Sequence, residues 1–354
     1  MINKKIKINK INLNNRVIVG PMCQYSAVKG EPSKWHYKHL NRLSKSGASL
    51  IMLESTAVNK QGRISLKDLV LENDKQEKSF KKLIKFLHGK KTKIGIQISH
   101  SGRKGSTNLP WINKGSPLRK SEGAWNSISS SAIKRDVNWP IPKKMEISDI
   151  NKTLNDFVST AKRAKRIGFD CLEIHMAHGY LLHQFFSPLS NKRNDGYGGN
   201  LKKRCKFLIK IFDAVRKVWP KNKILGARIT GSDNLKNGST INDAIYLARE
   251  LKKLKADYVS VTSGGIKPKT KMKFFPGHNL KFSKKIKKKV KIKVIALGML
   301  NSIVLINKIL KKKEADLVAV SRRFIKEPDW LKKTKNLKSN KILRKIPNQY
   351  LRCF

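Results

Sequence analysis

At 354 residues, 39% of them hydrophobic and spread through every segment, the chain has material for one large domain with a sizeable core, and no part of it reads as a disordered tail. Its formal charge is +56, from 79 Lys and Arg against 23 Asp and Glu. The excess is mostly lysine, accompanied by abundant Asn and Ile whose codons are likewise A/T-rich, and no arginine-rich stretch interleaved with aromatics stands out, so the charge reads as solvated surface and no nucleic-acid partner is expected.

The first residues, MINKKIKINKINL, lack the apolar core of a signal peptide, and Cys23, Cys171, Cys205 and Cys353 show neither CxxC pairs nor zinc-ligand spacing, so a cytoplasmic setting is expected. Short apolar runs then recur along the chain: RVIVGP near 17–21, SLIMLE near 49–54, KIGIQIS near 93–99 and DCLEIH near 170–175. ILGARIT follows near 224–230, DYVSVTS near 257–263, KVIALG near 293–298 and DLVAVS near 316–321. Stretches such as TLNDFVSTAKRAKRIG and INDAIYLARELKKLK separate them with helical periodicity. In the lysine-rich region 283–297, Phe282, Ile286 and Val290 keep helical spacing with lysines on the opposite face. The longest apolar region, VIALGMLNSIVLINKIL, is broken by Gly298, Asn301, Ser302 and Asn307, which excludes a membrane span there. Repeated strand-then-helix units predict parallel strands, and this number of them predicts a single α/β domain over 1–354, a (β/α)8 TIM barrel. One long insertion after the third strand, about 100–148, holds Trp111, Trp125 and Trp139 and reads as a lid or rim, with Trp139 as an anchor of that loop.

Alternation within the strands sorts side chains by face. Ile94, Ile96 and Ile98 oppose Gly95, Gln97 and Ser99; Leu172 and Ile174 oppose Cys171, Glu173 and His175; Leu225, Ala227 and Ile229 oppose Gly226 and Arg228. With the apolar faces outward, Gln97, His175 and Arg228 point into the barrel near the carboxyl ends of their strands, where barrel enzymes keep their active sites. Around them come Cys23 and Tyr25, Ser55, Gly264 and Gly265, Gly298 and Arg322. A glycine after the seventh strand and a basic residue after the eighth suit a phosphate, so a cofactor with a flat polar body and a phosphate tail is expected. EIHMAHGYLLH (173–183) admits three readings: a metal site, a pair donating to one substrate oxygen, or structural histidines. His175 ends a strand and His178 lies in a turn, unlike helical metal motifs, which favours the oxygen-binding pair, with Tyr180 as a proton donor and His183 as structural. A buried tyrosine with a satisfied hydroxyl is the alternative for Tyr180.

GPMCQYSA (20–27), ESTAVNKQGRIS (54–65), IGIQISHSGRK (94–104), EIHMAHGYLLHQFFSPLSNKRNDGYGG (173–199), LGM (297–299) and VSRR (320–323) together resemble the old yellow enzymes, FMN-dependent ene-reductases on a single barrel. PMCQYS and the ending QYLRCF are similar to the bacterial subclass of NADPH dehydrogenases and xenobiotic reductase A, toward which WH at 35–36 and LPW at 109–111 lean. The resemblance implies that Gly20, Pro21, Met22 and Cys23 run along the flavin, with the Cys23 thiol tuning its potential. It implies that Ser55 and Gln97 contact the ring edge, that Arg228 faces the N1 and O2 region, and that Gly298, Ser321 and Arg322 hold the phosphate. For the substrate it implies His175, His178 and Tyr25 as binders and Tyr180 as proton donor. Arg352, in a terminal segment of about 340–354, would reach a neighbouring subunit, which implies a homodimer or a tetramer built from dimers. The implied reaction takes electrons from NADPH or NADH to FMN and on to an alkene conjugated to a carbonyl or nitro group.

Four positions depart from the family pattern: Ser321 where glycine is usual, Lys203 where asparagine is usual, Ser55 where Ala or Gly is common, and Leu297 where a pocket tryptophan stands in xenobiotic reductase A. They bear on substrate range and flavin affinity. Relatives of 2,4-dienoyl-CoA or trimethylamine dehydrogenase would need an iron–sulfur cysteine cluster, which is not visible. A tRNA dihydrouridine synthase would suit the charge but needs an RNA-binding helical extension and a cysteine acid; a non-catalytic flavin- or RNA-binding protein is the non-enzyme alternative.

Overall fold

The computed structural model describes residues 1–90, 93–268, 273–331 and 346–353. Eight parallel strands close into a barrel: β1 (Val17–Val19), β2 (Leu50–Ala57), β3 (Ile94–Ser99), β4 (Cys171–Met176), β5 (Ile224–Thr230), β6 (Tyr258–Thr262), β7 (Val294–Ala296) and β8 (Leu317–Val320), the last pairing with the first. The expected (β/α)8 architecture is the observed one. Helices α1 (Lys34–Ser44), α2 (Asp74–His88), α3 (Ile147–Ile167), α4 (Leu181–Phe186), α5 (Leu201–Val218), α6 (Ile241–Lys253), α7 (Leu280–Val290) and α8 (Ile303–Lys311) lie between strands, and α9 (Arg322–Lys326) follows β8. In α3 the buried stripe is Ile150, Thr153, Phe157, Ala161, Ala164 and Ile167, at steps of three and four residues, and Gly168 ends the helix in the left-handed region at φ 102°. On α7 the buried Phe282, Ile286 and Val290 leave the lysines to solvent.

The alternation holds. Ile94, Ile96, Ile98, Leu172, Ile174, Leu225, Ala227 and Ile229 join the core between strands and helices, while Leu50, Met52, Cys171, Ile224, Tyr258, Ile295 and Leu317 fill the lumen. Burying each such aliphatic side chain is worth roughly 1.5–3 kcal/mol, so a one-residue slip that exchanged the two sets is strongly disfavoured. A Cβ on Gly95 or Gly226 would strike Met52 or the Tyr258 ring, so the lumen is full at that depth. An N-terminal hairpin, Ile6–Ile8 with Ile11–Leu13, adds Ile8 and Leu13 to the lumen cluster. Its Asn9 Nδ2 donates to the carbonyls of Lys221 (2.7 Å) and Lys223 (3.0 Å), just ahead of β5, so the amino-terminal mouth is plugged and the carboxyl end is the open one.

The sequence places Ser55 after the second strand, but it stands inside β2. A β-bulge between Leu53 and Ser55 resets the alternation, so Ser55 pairs with Gln97. Glu54 accepts instead from Gln24 N at 2.7 Å and lies 3.1 Å from His36 Nε2. The insertion between β3 and α3 ends at residue 146, where α3 begins, and contains a two-residue ladder of Ile128–Ser129 beside Lys143–Lys144. Arg103 ties it to the loop after β6, donating to Ile133 O (3.1 Å), Lys134 O (3.3 Å) and Ile266 O (2.9 Å). Among the described residues no helix is long and apolar enough to cross a membrane. Near the C-terminus Tyr350 and Cys353 pack with Ile325 of the same chain, and the Arg352 side chain lies outside the described residues.

Candidate active site

Two adjoining cavities open at the carboxyl ends of the strands. The first, about 340 Å³, is lined by Pro21, Met22, Cys23 and Tyr25 after β1, Ser55 on β2, Gln97 on β3, His175 on β4, His178 and Tyr180 beyond it, Arg228 on β5, and Ser321 and Arg322 after β8. The second, about 510 Å³, includes Gly20, Leu297, Gly298, Arg323 and Lys326. Arg228, Ser321, Arg322 and Cys353 line both, which makes one trough. The expected site residues other than Arg352 thus come together, whereas Gly264 and Gly265 are not among the residues that line the two cavities. A Cβ on Gly20 would meet Ser321 Oγ, so the unusual serine is accommodated against a glycine.

The turn after β4 is held in a costly conformation. His178 has φ 57° and Gly179 φ 73°, and Tyr25 (φ 50°) and Met299 (φ 53°) at the same mouth are also left-handed. A Cβ on Gly179 would strike the Gly265 carbonyl, so the β4 and β6 loops interlock there. His183 fixes the turn from α4: Gly179 N–H donates to its Nδ1 at 2.7 Å, which leaves Nε2–H for Asp233 Oδ1 at 2.9 Å. Both side chains are wholly buried. Burial works to raise the Asp233 carboxyl, but His183 and hydrogen bonds from Ser187 and Ser239 bring it down to about 2. His183 is therefore structural.

The two other histidines both line the trough and are joined to each other. Ala177 N–H donates to His175 Nδ1 (3.2 Å), so the proton sits on Nε2 and points to His178 Nδ1 at 3.2 Å. That leaves His178 Nε2–H to donate to Thr262 Oγ1 at 3.0 Å. Burial, then the Arg228 charge, holds both imidazoles well below the usual histidine range, so they are neutral. The Tyr180 ring stands edge-on to His175, centroids 4.9 Å apart. Beside it Lys104 Nζ lies 5.0 Å from the Tyr180 ring centroid and donates to the His178 carbonyl at 2.7 Å. Burial, reinforced by Arg135 and Arg103, lowers the Lys104 ammonium to about 7.

Lys104, Glu173, Thr262 and Cys353 received no role from the sequence. Strand alternation did put Glu173 on the inner face, but nothing among 79 basic residues singles out Lys104. Among the described residues no group of three or more His, Cys, Asp or Glu could hold a metal ion.

The trough suits FMN on its own chemistry. Arg228 Nε is buried without a hydrogen-bond partner, Gln97 and Ser55 line the cavity beside it, and at the other end Arg322, Arg323 and Lys326 are basic beside Gly298. Comparison with known proteins agrees. Residues 2–340 match the model of the NADH:flavin oxidoreductase / NADH oxidase family. The chain is 38% identical over 341 residues to an NADH:flavin oxidoreductase of Gibberella zeae, covering 91% of this chain and 82% of that one. It is 36% identical over 351 residues to an NADPH dehydrogenase of Clostridium acetobutylicum, covering 98% and 97%. Among solved structures, morphinone reductase shares the fold at a TM-score of 0.80 and 24% identity, over 99% of this chain and 92% of that one. The chain belongs to the NADH:flavin oxidoreductase / NADH oxidase family, that of the old yellow enzymes, and is an FMN-dependent oxidoreductase using a reduced nicotinamide.

Proposed function

We propose that this enzyme reduces carbon–carbon double bonds conjugated to a carbonyl or nitro group. The observation that carries the reading is the meeting of two neutral histidines and a tyrosine in one cavity with Arg228. FMN, when bound, takes hydride from NADPH or NADH and supplies it to the substrate's β-carbon.

The chain's own residues do the rest. His175 and His178 each carry one N–H, and a substrate oxygen accepts both in place of the His175–His178 and His178–Thr262 bonds. Each N–H exchanges one acceptor for another, so neither donor is left unpaired. As charge grows on the oxygen, the two bonds strengthen, and that difference lowers the barrier. Tyr180 delivers a proton to the α-carbon, with Lys104 Nζ 5.0 Å from its ring centroid. Gly20, Pro21, Met22 and Cys23 would hold the flavin along one side, Ser55, Gln97 and Arg228 would hold its polar edge, and Gly298, Ser321 and Arg322 would hold the phosphate. Tyr25 helps to seat the substrate, and Trp111 of the insertion, edge-on to Tyr25 with centroids 6.0 Å apart, supports a lid role for that segment.

Titrating the purified flavoprotein with a phenol tests the oxygen site. A long-wavelength charge-transfer band is expected, and replacing His175 and His178 together by alanine is expected to abolish it with the flavin retained. A band of wild-type strength in that variant would remove the histidines from the site.

A further inference from the structure

One layer below His175 on β4, Glu173 is 3% exposed and has no part in the chemistry described so far. Three neutral donors hold it: Gln97 Nε2 at 2.6 Å, Ser260 Oγ at 2.7 Å and Tyr258 OH at 3.1 Å. Arg228 is in register with Ser260 on one side and His175 on the other; burial lowers its guanidinium from the ordinary value while Glu173 works against that, and Arg228 Nε has no partner.

Two consequences follow for whatever fills the trough. Because one N–H of Gln97 Nε2 donates to Glu173, the direction of the amide is fixed, with Oε1, an acceptor, on the side away from the carboxylate. The trough therefore presents a donor, Arg228, beside an acceptor, Gln97. The pyrimidine edge of an oxidised flavin offers the complement, acceptors at N1 and O2 and a donor at N3–H. A reversed Gln97 amide would set N–H against N–H. The second consequence is electrostatic: the Glu173 carboxylate, on the strand beside Arg228, offsets part of the Arg228 charge that favours negative charge on the reduced cofactor.

We propose that Glu173 is a positioning residue that fixes the Gln97 amide to read the flavin N3–H and lowers the midpoint potential of bound FMN by offsetting Arg228. This rests on the flavin seat proposed above.

The test is the midpoint potential of the bound flavin, by reductive titration against a reference dye, with the FMN dissociation constant measured alongside. Glu173→Gln is expected to raise the potential and to weaken FMN about tenfold, the loss of one charge-assisted contact. A potential that is unchanged or lower would overturn the proposal. Ser260→Ala keeps the carboxylate but removes a donor that offsets it, so the potential is expected to fall; no change or a rise counts against the proposal, and this variant decides if Glu173→Gln does not fold. Arg228→Met separates the two readings. If it leaves the potential unmoved, the flavin seat itself is wrong; if it lowers the potential while Glu173→Gln does nothing, only the role of Glu173 fails.

Discussion

Tyr180 and Lys104 illustrate how a side chain's surroundings set its chemistry. Tyr180→Phe removes the proton donor while keeping the ring, so stopped-flow reoxidation of the reduced enzyme by an enone is expected to slow by about 10²–10⁴-fold, with reduction by NADPH unchanged. Equal slowing of both half-reactions would deny the tyrosine its role. Lys104 carries a pH signature. Its ammonium falls from an ordinary 10.5 to about 7 on folding, so above pH 7 the unfolded chain binds the extra proton. The burial penalty is then fully present below about pH 7 and is relieved as pH rises toward 10.5. The urea stability of Lys104→Met relative to the wild type is therefore expected to be more favourable at pH 6 than at pH 9, by an amount on the order of a few kcal/mol. The opposite sign would mean that Lys104 is not desolvated.

At the scale of elements, the turn after β4 carries the groups proposed to bind the substrate oxygen and donate the proton, and its conformation is paid for by α4 and the β6 loop. Gly179→Ala sets a methyl against the Gly265 carbonyl at φ 73° and is expected to cost roughly 2–4 kcal/mol in urea denaturation. A loss below about 0.5 kcal/mol would show that the turn relaxes freely. The strands were legible because each is a short apolar run between helical stretches, and the alternation within three of them also turned Gln97, His175 and Arg228 inward. Ser55 was misplaced because a bulge leaves no signature in composition or period; it appears only once β2 is paired with β3. The mutual bond of His175 and His178 depends on the folded turn, and the burial of Lys104 depends on contacts with the β4 and β6 loops, distant in sequence. No local pattern encodes them.

For the whole molecule, a charge of +56 means that folding brings like charges together across the surface. Screening should help: the thermal midpoint is expected to rise as sodium chloride increases from about 10 to 200 mM, where the Debye length shrinks to below about 10 Å. A falling midpoint would indicate that attractive ion pairs, such as Arg163 with Glu77, outweigh the repulsion. The family fixes the barrel, FMN and the nicotinamide, while the chemistry at the mouth belongs to the residues gathered there. One anaerobic single-turnover experiment bears on it most directly: enzyme reduced with one equivalent of NADPH is mixed with 2-cyclohexenone without oxygen. The account predicts reoxidation of the flavin with one equivalent of cyclohexanone formed, and flavin that stays reduced, with the enone unchanged, would contradict it.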